Sequence, residues 1–301
     1  MDGTLLGCDG RVSARNRAAI VAAEEQGIEI VVATGRRHAY AMRVLRELGL
    51  RSASALISSN GTVIRTVGAE LVHRAHMPFE TARWLCEAVH DFRSTFVLTF
   101  DNVDANGDEV RGALVCEETE ALHESIGAWM RNNEPYMLRV ARMEHALTTP
   151  CGNGNGVVNA PIQAMLCGPV DVMERAEAQL AGHAKIAGVG QPEFPGCEIV
   201  LHRTVYPERN LAILDILPAG CSKASALAHV ARLRGCTMEQ VLAIGDNWND
   251  VPMLEAAGNA VLMGNAPPEL RVYAAERGWT VGPTNDEDGV AVALEAVLRA
   301  G

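Results

Sequence analysis

Residues 27–36 read Gly27-Ile28-Glu29-Ile30-Val31-Val32-Ala33-Thr34-Gly35-Arg36. A short β-branched run closed by Thr-Gly reads as a buried strand that ends in a turn. Upstream, Ser13 has N-cap chemistry, so a helix is expected from there to about Gln26, with Gly27 ending it. Downstream, a second helix fits 38–48, and 53–58 reads as another strand. This is a βαβ rhythm, which implies a parallel sheet with helical crossovers. The last third repeats it. A strand is expected at 211–217, a helix at 222–234, a strand at 241–244 and a helix near 249–257. A short strand at 259–262 and helices near 267–275 and 286–299 follow.

The middle has a different pattern. Helices are expected at 79–91, 119–132 and 169–182, with strands at 95–100, 111–116, 137–142, 162–167 and 197–202. Several of these strands look hairpin-like, the mark of α+β structure. The fold class is therefore α/β. A core built from residues 1–77 and 206–301 is expected, with 78–205 inserted as a second domain. The Gly/Asn-rich stretch 151–159 reads as a loop.

Composition narrows the function classes. The chain has 301 residues, enough for about two domains. Hydrophobic residues make up 48% and charged residues 21%, which is globular composition. The net charge of -11 argues against a general nucleic-acid binder, which needs a basic footprint. No apolar run reaches the roughly 18 residues of a membrane span. No basic region precedes an apolar stretch at Met1, so a cytoplasmic protein without a secretory signal is expected. Eight cysteines include no C-x-x-C pair, so they read as plain thiols rather than a zinc site or a disulfide framework. Only Lys185 and Lys223 are lysines among the 26 basic residues.

Four short segments carry the candidate chemistry, each at a strand end or the helix start that follows. In an open parallel sheet, ligands bind beyond the carboxyl ends of the strands. The first segment is Asp2-Gly3-Thr4-Leu5-Leu6. The second is Thr34-Gly35-Arg36, whose hydroxyl and backbone N–H can hold a phosphate. The third is Lys223, a cation at a helix start that the helix dipole does not favour. The fourth is Gly245-Asp246-Asn247-Trp248-Asn249-Asp250, two carboxylates four apart that can offer hard oxygen ligands to Mg2+.

In this order the segments resemble the haloacid dehalogenase-like hydrolases, and within them the Cof-type phosphatases. That family carries D-x-D-G-T-L, a strand ending in T-G-R, a Lys, then G-D-x-x-N-D. Ser59-Asn60-Gly61, Met263-Gly264-Asn265-Ala266 and Asn285-Asp286-Glu287-Asp288-Gly289-Val290 match minor signatures. Ala224 replaces a Gly that often follows the family's Lys. The resemblance implies a Rossmann-like three-layer α/β/α core with a C2-type cap inserted at 78–205, which would close over the core and supply substrate contacts.

It also implies phosphoryl transfer from a small phosphorylated metabolite, with Mg2+ as cofactor. Asp2 would be general acid and then base, and its backbone carbonyl a metal ligand beside Asp246, with Asp250 ordering the metal's surroundings. Met1, Thr34, Gly35, Lys223 and Asn249 would line the phosphate, Lys223 neutralising developing charge. The family's nucleophilic Asp would stand two places before Asp2, directly upstream of Met1. The expectation is a native protein that extends upstream and restores that Asp and its strand, with residues 1–301 alone nearly inactive. A phosphomutase on the same fold, or a catalytically dead phosphometabolite-binding protein, are the alternatives. The sugar phosphates, nucleotides and cofactor phosphates stay open as substrates, and the oligomeric state is not legible.

Other features have bland readings. Gly152, Gly154 and Gly156 miss a dinucleotide fingerprint because the next required Gly is Val157. Asn102-x-Asp104-x-Asn106-Gly107 lacks the closing Glu of a calcium loop, so a hairpin turn is expected. Asn60-Gly61-Thr62 is a sequon without meaning inside a cell. His73 and His76 read as surface or structural histidines, and the Met residues as core filler.

Overall fold

The computed structural model describes residues 1–104, 106–118, 124–148 and 160–300. The chain divides into two compact units, Met1–His73 with Ser222–Gly301, and Arg74–Cys221. The second boundary therefore lies beyond the expected 205/206.

The first segment opens with a loop over residues 1–12, then α1 (Ala14–Glu25). Ser13 caps α1 by accepting the N–H of Asn16 at 3.0 Å, and Gly27 takes a φ of +85° beyond its end. Next come β1 (Val32–Ala33), α2 (His38–Leu45) and β2 (Ala55–Ser58). β1 and β2 pair in parallel, Val32 opposite Leu56. The expected strand 28–33 is thus only two residues long. β2 starts at Ala55, beside Val31, so Ile28–Ile30 have no β2 residue next to them, and among the described residues no strand lies on the other side. Two strands that the sequence reading missed follow, β3 (Val63–Thr66) and β4 (Leu71–Arg74). β3 runs antiparallel to β2, completing the order β1-β2-β3-β4.

The middle unit holds α3 (Phe79–Ala88), β5 (Phe96–Thr99), β6 (Leu114–Glu117), α4 (Glu124–Asn133), β7 (Met137–Val140), α5 (Glu144–Thr148), β8 (Gln163–Gly168), α6 (Val170–Ala181), β9 (Ile186–Ala187), β10 (Ile199–Tyr206) and β11 (Leu211–Pro218). Its sheet has the order β7-β6-β5-β8-β11-β10-β9. The strand expected at 211–217 lies here, since β11 pairs antiparallel with β10 over its whole length and with β8. The two-residue period of the strands sorts the side chains. Phe96, Leu98, Leu166, Leu201 and Leu214 pack on one face with α3, α5 and α6. Of the helix expected at 119–132, the described part is α4 from Glu124; residues 119–123 and the loop expected at 151–159 lie outside the described residues. Near 102–109 a tight turn forms as expected, where Asp104 Oδ1 accepts the N–H groups of Asn106 and Asp108.

The chain then returns to the first unit with α7 (Lys223–Leu233), β12 (Leu242–Gly245), α8 (Val251–Ala256), β13 (Asn259–Leu262), α9 (Pro268–Glu276), β14 (Thr280–Val281) and α10 (Gly289–Ala300). β12, β13 and β14 pair in parallel, in that order. Ile28, Ile30, Val32, Leu242 and Ile244 share one cluster with α1, α2 and α10. Val31, Ala33, Val241 and Ala243 share the other with α7, α8 and α9. β1 and β12 therefore lie in one layer between two helical layers. No β-ladder joins them among the described residues, so each ends its sheet as an open edge.

Candidate active site

The loop Met1–Leu6 meets the carboxyl ends of both β1 and β12. The Met1 carbonyl accepts the N–H groups of Leu5 and Leu6 at 3.0 Å, folding the loop into a tight turn. Two asparagines from the minor signatures hold it. Asn265 Nδ2 donates to the Gly3 carbonyl at 2.8 Å, and Asn285 Nδ2 donates to the Leu6 carbonyl at 2.8 Å. Asn265 Oδ1 in turn accepts the Asn285 N–H at 3.0 Å. Gly3 has a φ of +69°, and a Cβ there would overlap the Asp246 carboxylate. Only glycine fits so close a passage.

From this loop the site closes into a ring of contacts. Arg36 grips the Asp2 carboxylate with both arms of its fork, Nε to Oδ2 at 2.7 Å and Nη2 to Oδ1. The Arg36 guanidinium also lies over the Tyr40 ring, 4.8 Å from its centroid. The Arg36 carbonyl accepts the Ser59 N–H at 2.9 Å, and the Thr34 carbonyl accepts the Asn60 N–H at 3.1 Å. Gly61, at φ +99°, passes so near the Ser222 carbonyl that a Cβ would overlap it. Ser222 caps α7 in a reciprocal box with Ser225, which fixes Lys223 at the first helical position.

Lys223 is buried and donates Nζ to Asp250 Oδ1 at 2.6 Å. Asp250 Oδ2 accepts the N–H groups of Asp246 and Asn247 at 3.1 and 3.3 Å. Thr4 completes the ring by donating its hydroxyl to Asp246 Oδ1. Thr34 is buried, its Oγ1 accepting the Arg36 N–H at 3.1 Å, while Gly35 and Asn249 are exposed. The Met1 side chain joins the core cluster, and its buried amino group lies near Lys223, Asp246 and Asp250.

Electrostatics divide the two buried carboxylates. Burial lifts the Asp246 pKa above the usual carboxylate value, opposed by the Thr4 hydroxyl and reinforced by the negative Asp250. Burial would lift Asp250 too, but the Lys223 ammonium, the Met1 amine and the hydrogen bonds it accepts outweigh that and hold it low. Burial and Lys223 push the Met1 amine below its ordinary value.

A set of oxygen donors suits a hard cation. Asp246, Asp250 and the Asp2 carbonyl are the donors available, and Mg2+ is commonly held by one or two carboxylates with water completing its shell. Asp246, whose ionised form burial disfavours, is the natural neighbour for such a charge. Among the described residues no group of three His, Cys, Asp or Glu side chains that could hold a metal converges. The sequence reading gave Arg36 no role and left Asn265 and Asn285 as bare matches. Their work is visible only once the loop is in place.

A three-layer sheet unit that gathers paired carboxylates, a buried lysine and a Thr-Gly turn at its strand ends has the build of a hydrolase acting on phosphate esters. The chain belongs to the haloacid dehalogenase-like hydrolases: their family model matches residues 1–124 and 202–294. It is 27% identical to the 5-amino-6-(5-phospho-D-ribitylamino)uracil phosphatase of Bacillus subtilis (strain 168), over 99% of this chain and 96% of that protein. It is 30% identical to the HMP-PP phosphatase of Enterobacter sp. (strain 638), over 90% of this chain and 84% of that one. The crystal structure of a haloacid dehalogenase-like hydrolase from Bacteroides thetaiotaomicron matches with a TM-score of 0.72 and 26% identity, covering 98% of this chain and 96% of the other. This kinship makes the chain an enzyme, a phosphoric monoester hydrolase.

Proposed function

We propose a Mg2+-dependent phosphatase of small phosphorylated metabolites that works through an aspartyl-phosphate. The observation that supports it best is the ring from Asp2 through Arg36, Asn60, Lys223, Asp250 and Asp246 back to Thr4, formed by segments far apart in sequence. The relative named as a phosphatase of a ribitylamino-uracil phosphate points to a phosphorylated heterocyclic compound as substrate.

A bound Mg2+, held by Asp246, Asp250 and the Asp2 carbonyl, would offset the charge of the phosphate that repels an anionic attacker. Thr34 and Gly35 hold phosphate oxygens by hydroxyl and backbone N–H, joined by Asn249 and by Lys223, whose charge opposes the charge that develops. The attacking carboxylate is assigned to an aspartate in the position that precedes Met1. The open edges of β1 and β12 support this assignment, because one more parallel strand between them would end at Met1. In the first step the carboxylate oxygen bonds to phosphorus, the ester oxygen leaves, and Asp2 gives it a proton. In the second, water attacks the aspartyl-phosphate, Asp2 takes the water's proton, and inorganic phosphate leaves. The Arg36 fork positions the Asp2 side chain beside the loop. The middle unit, at 78–205 by the sequence reading, is assigned the choice of substrate.

The test is phosphate release from a panel of sugar, nucleotide and heterocycle phosphates. Residues 1–301 alone should release almost none. A version with a strand and an Asp placed directly before Met1 should turn over with Mg2+ and stop when EDTA removes it. Strong Mg2+-dependent release by residues 1–301, or none by the extended version, would overturn the assignment.

A further inference from the structure

The second face of the middle unit's sheet carries a polar island that the reaction above does not use. At one end of this face Val97, Leu114, Cys116 and Cys167 pack under Trp129 and Met130 of α4, with Met165 and Ile213 beside them. At the other, Val200 and Leu217 pack with Ala187. Between these apolar clusters the strand registers bring four polar side chains together. Thr99 stands opposite Gln163, and His202 opposite Asp215. Gln163 Nε2 donates to Asp215 Oδ1 at 2.8 Å across the diagonal. Thr99 and Gln163 are buried, at 5% and 7% exposure, while His202, Asp215, Met165 and Ile213 stay partly open. A sheet face turned to water alternates with polar residues along its length. Here Thr99, Gln163, His202 and Asp215 lie between two apolar clusters, with Met165 and Ile213 beside them, and a few polar groups among apolar ones are how small-molecule sites are lined.

We propose that Gln163, Asp215 and His202 form a recognition site for a planar nitrogen heterocycle that presents an N–H donor beside a carbonyl or ring-nitrogen acceptor. The Asp215 carboxylate accepts the ligand's N–H, the His202 ring meets its acceptor, and Met165 and Ile213 give the ring flat apolar contact. Burial lowers the His202 pKa, against a smaller pull upward from Glu193, so the imidazole is neutral near pH 7 and can donate from one nitrogen and accept at the other. The choice of heterocycle phosphates as substrates rests on the phosphatase reading; the site itself rests on this face alone.

The experiment is proton NMR of residues 1–301, following the C2–H signal of His202, identified by its loss in His202→Gln. Titration with 5-aminouracil, which carries no phosphate, should shift that signal saturably, and ribose 5-phosphate should leave it in place. Asp215→Asn and Gln163→Leu should each weaken the 5-aminouracil effect at least tenfold, while Arg175→Ala, on the outer surface of α6, should not. Circular dichroism melts confirm that each variant is folded, and Thr99→Val serves as a second probe if Gln163→Leu is not. An unmoved His202 signal with unaltered protein, or equal binding by Asp215→Asn, overturns the proposal whether or not phosphate esters are hydrolysed. Turnover of ribose 5-phosphate by the extended protein, with no 5-aminouracil binding, would uphold the phosphatase and sink this site.

Discussion

At the residue scale the Lys223–Asp250 pair decides most. Both side chains are nearly excluded from water, and their charges are 2.6 Å apart. Removing one partner of such a pair strands the other, which typically costs about 3 kcal/mol or more. Lys223→Met should therefore destabilise the protein by about 3 kcal/mol in urea unfolding, as expected for a stranded buried charge. Adding Asp250→Asn in the same chain should recover part of the loss, because no charge is then stranded. Lys223 was legible in the sequence because lysine is rare here and sits where the helix dipole disfavours it. Its partner's identity was open, since Asp246 and Asp250 stand equally near the same turn. Only the fold turned Asp250 toward Lys223 and left Asp246 to Thr4.

Elements set the pH response and the weak places. His202 on β10 and His76 before α3 both have pKa values lowered by burial, His76 further by Arg74. Each binds a proton less readily folded than unfolded, so the folded state gains nothing from them above about pH 6.5 and loses stability as pH falls below it. The melting temperature should drop between pH 7 and 5, and His202→Gln should flatten that drop; an unchanged slope would remove His202 from the account. The edges of β1 and β12 make a second prediction. Among the described residues, the amides of Glu29–Val31, and those of β12 on its unpaired side, have no ladder partner. In residues 1–301 they should exchange with solvent far faster than the β2 and β13 amides. An added upstream strand should protect them, and equal protection without it would mean that the edges are already covered. β-branched composition announced the strand at 28–33, but its length depended on neighbours that lie elsewhere in the chain.

Among the described residues each unit packs its own core, the middle unit mainly under the α3–α5–α6 face of its sheet and the first unit over both faces of its strands. Units with their own cores tend to unfold as units. Differential scanning calorimetry of residues 1–301 should give a calorimetric enthalpy above the van't Hoff value; equality would mean that the units melt together. The division into a discontinuous core and an inserted unit was legible from the change of pattern near residue 78. Its second boundary was misplaced because 211–217 has the composition of a core strand. β11 instead completes the middle sheet, and eight residue pairs with β10 settle the matter.

The sequence by itself determined the class of fold, the family and the order of the chemical segments, because periodicity and short turn motifs are local properties. Tertiary structure decided which groups meet: the Arg36 fork on Asp2, the asparagine struts under the loop, the Lys223–Asp250 pair and the polar island of Gln163, Asp215 and His202. The hydrogen-bonded partners among these lie from 27 to 279 positions apart. Distance along the chain says nothing of distance in space until strand register and helix packing have fixed it.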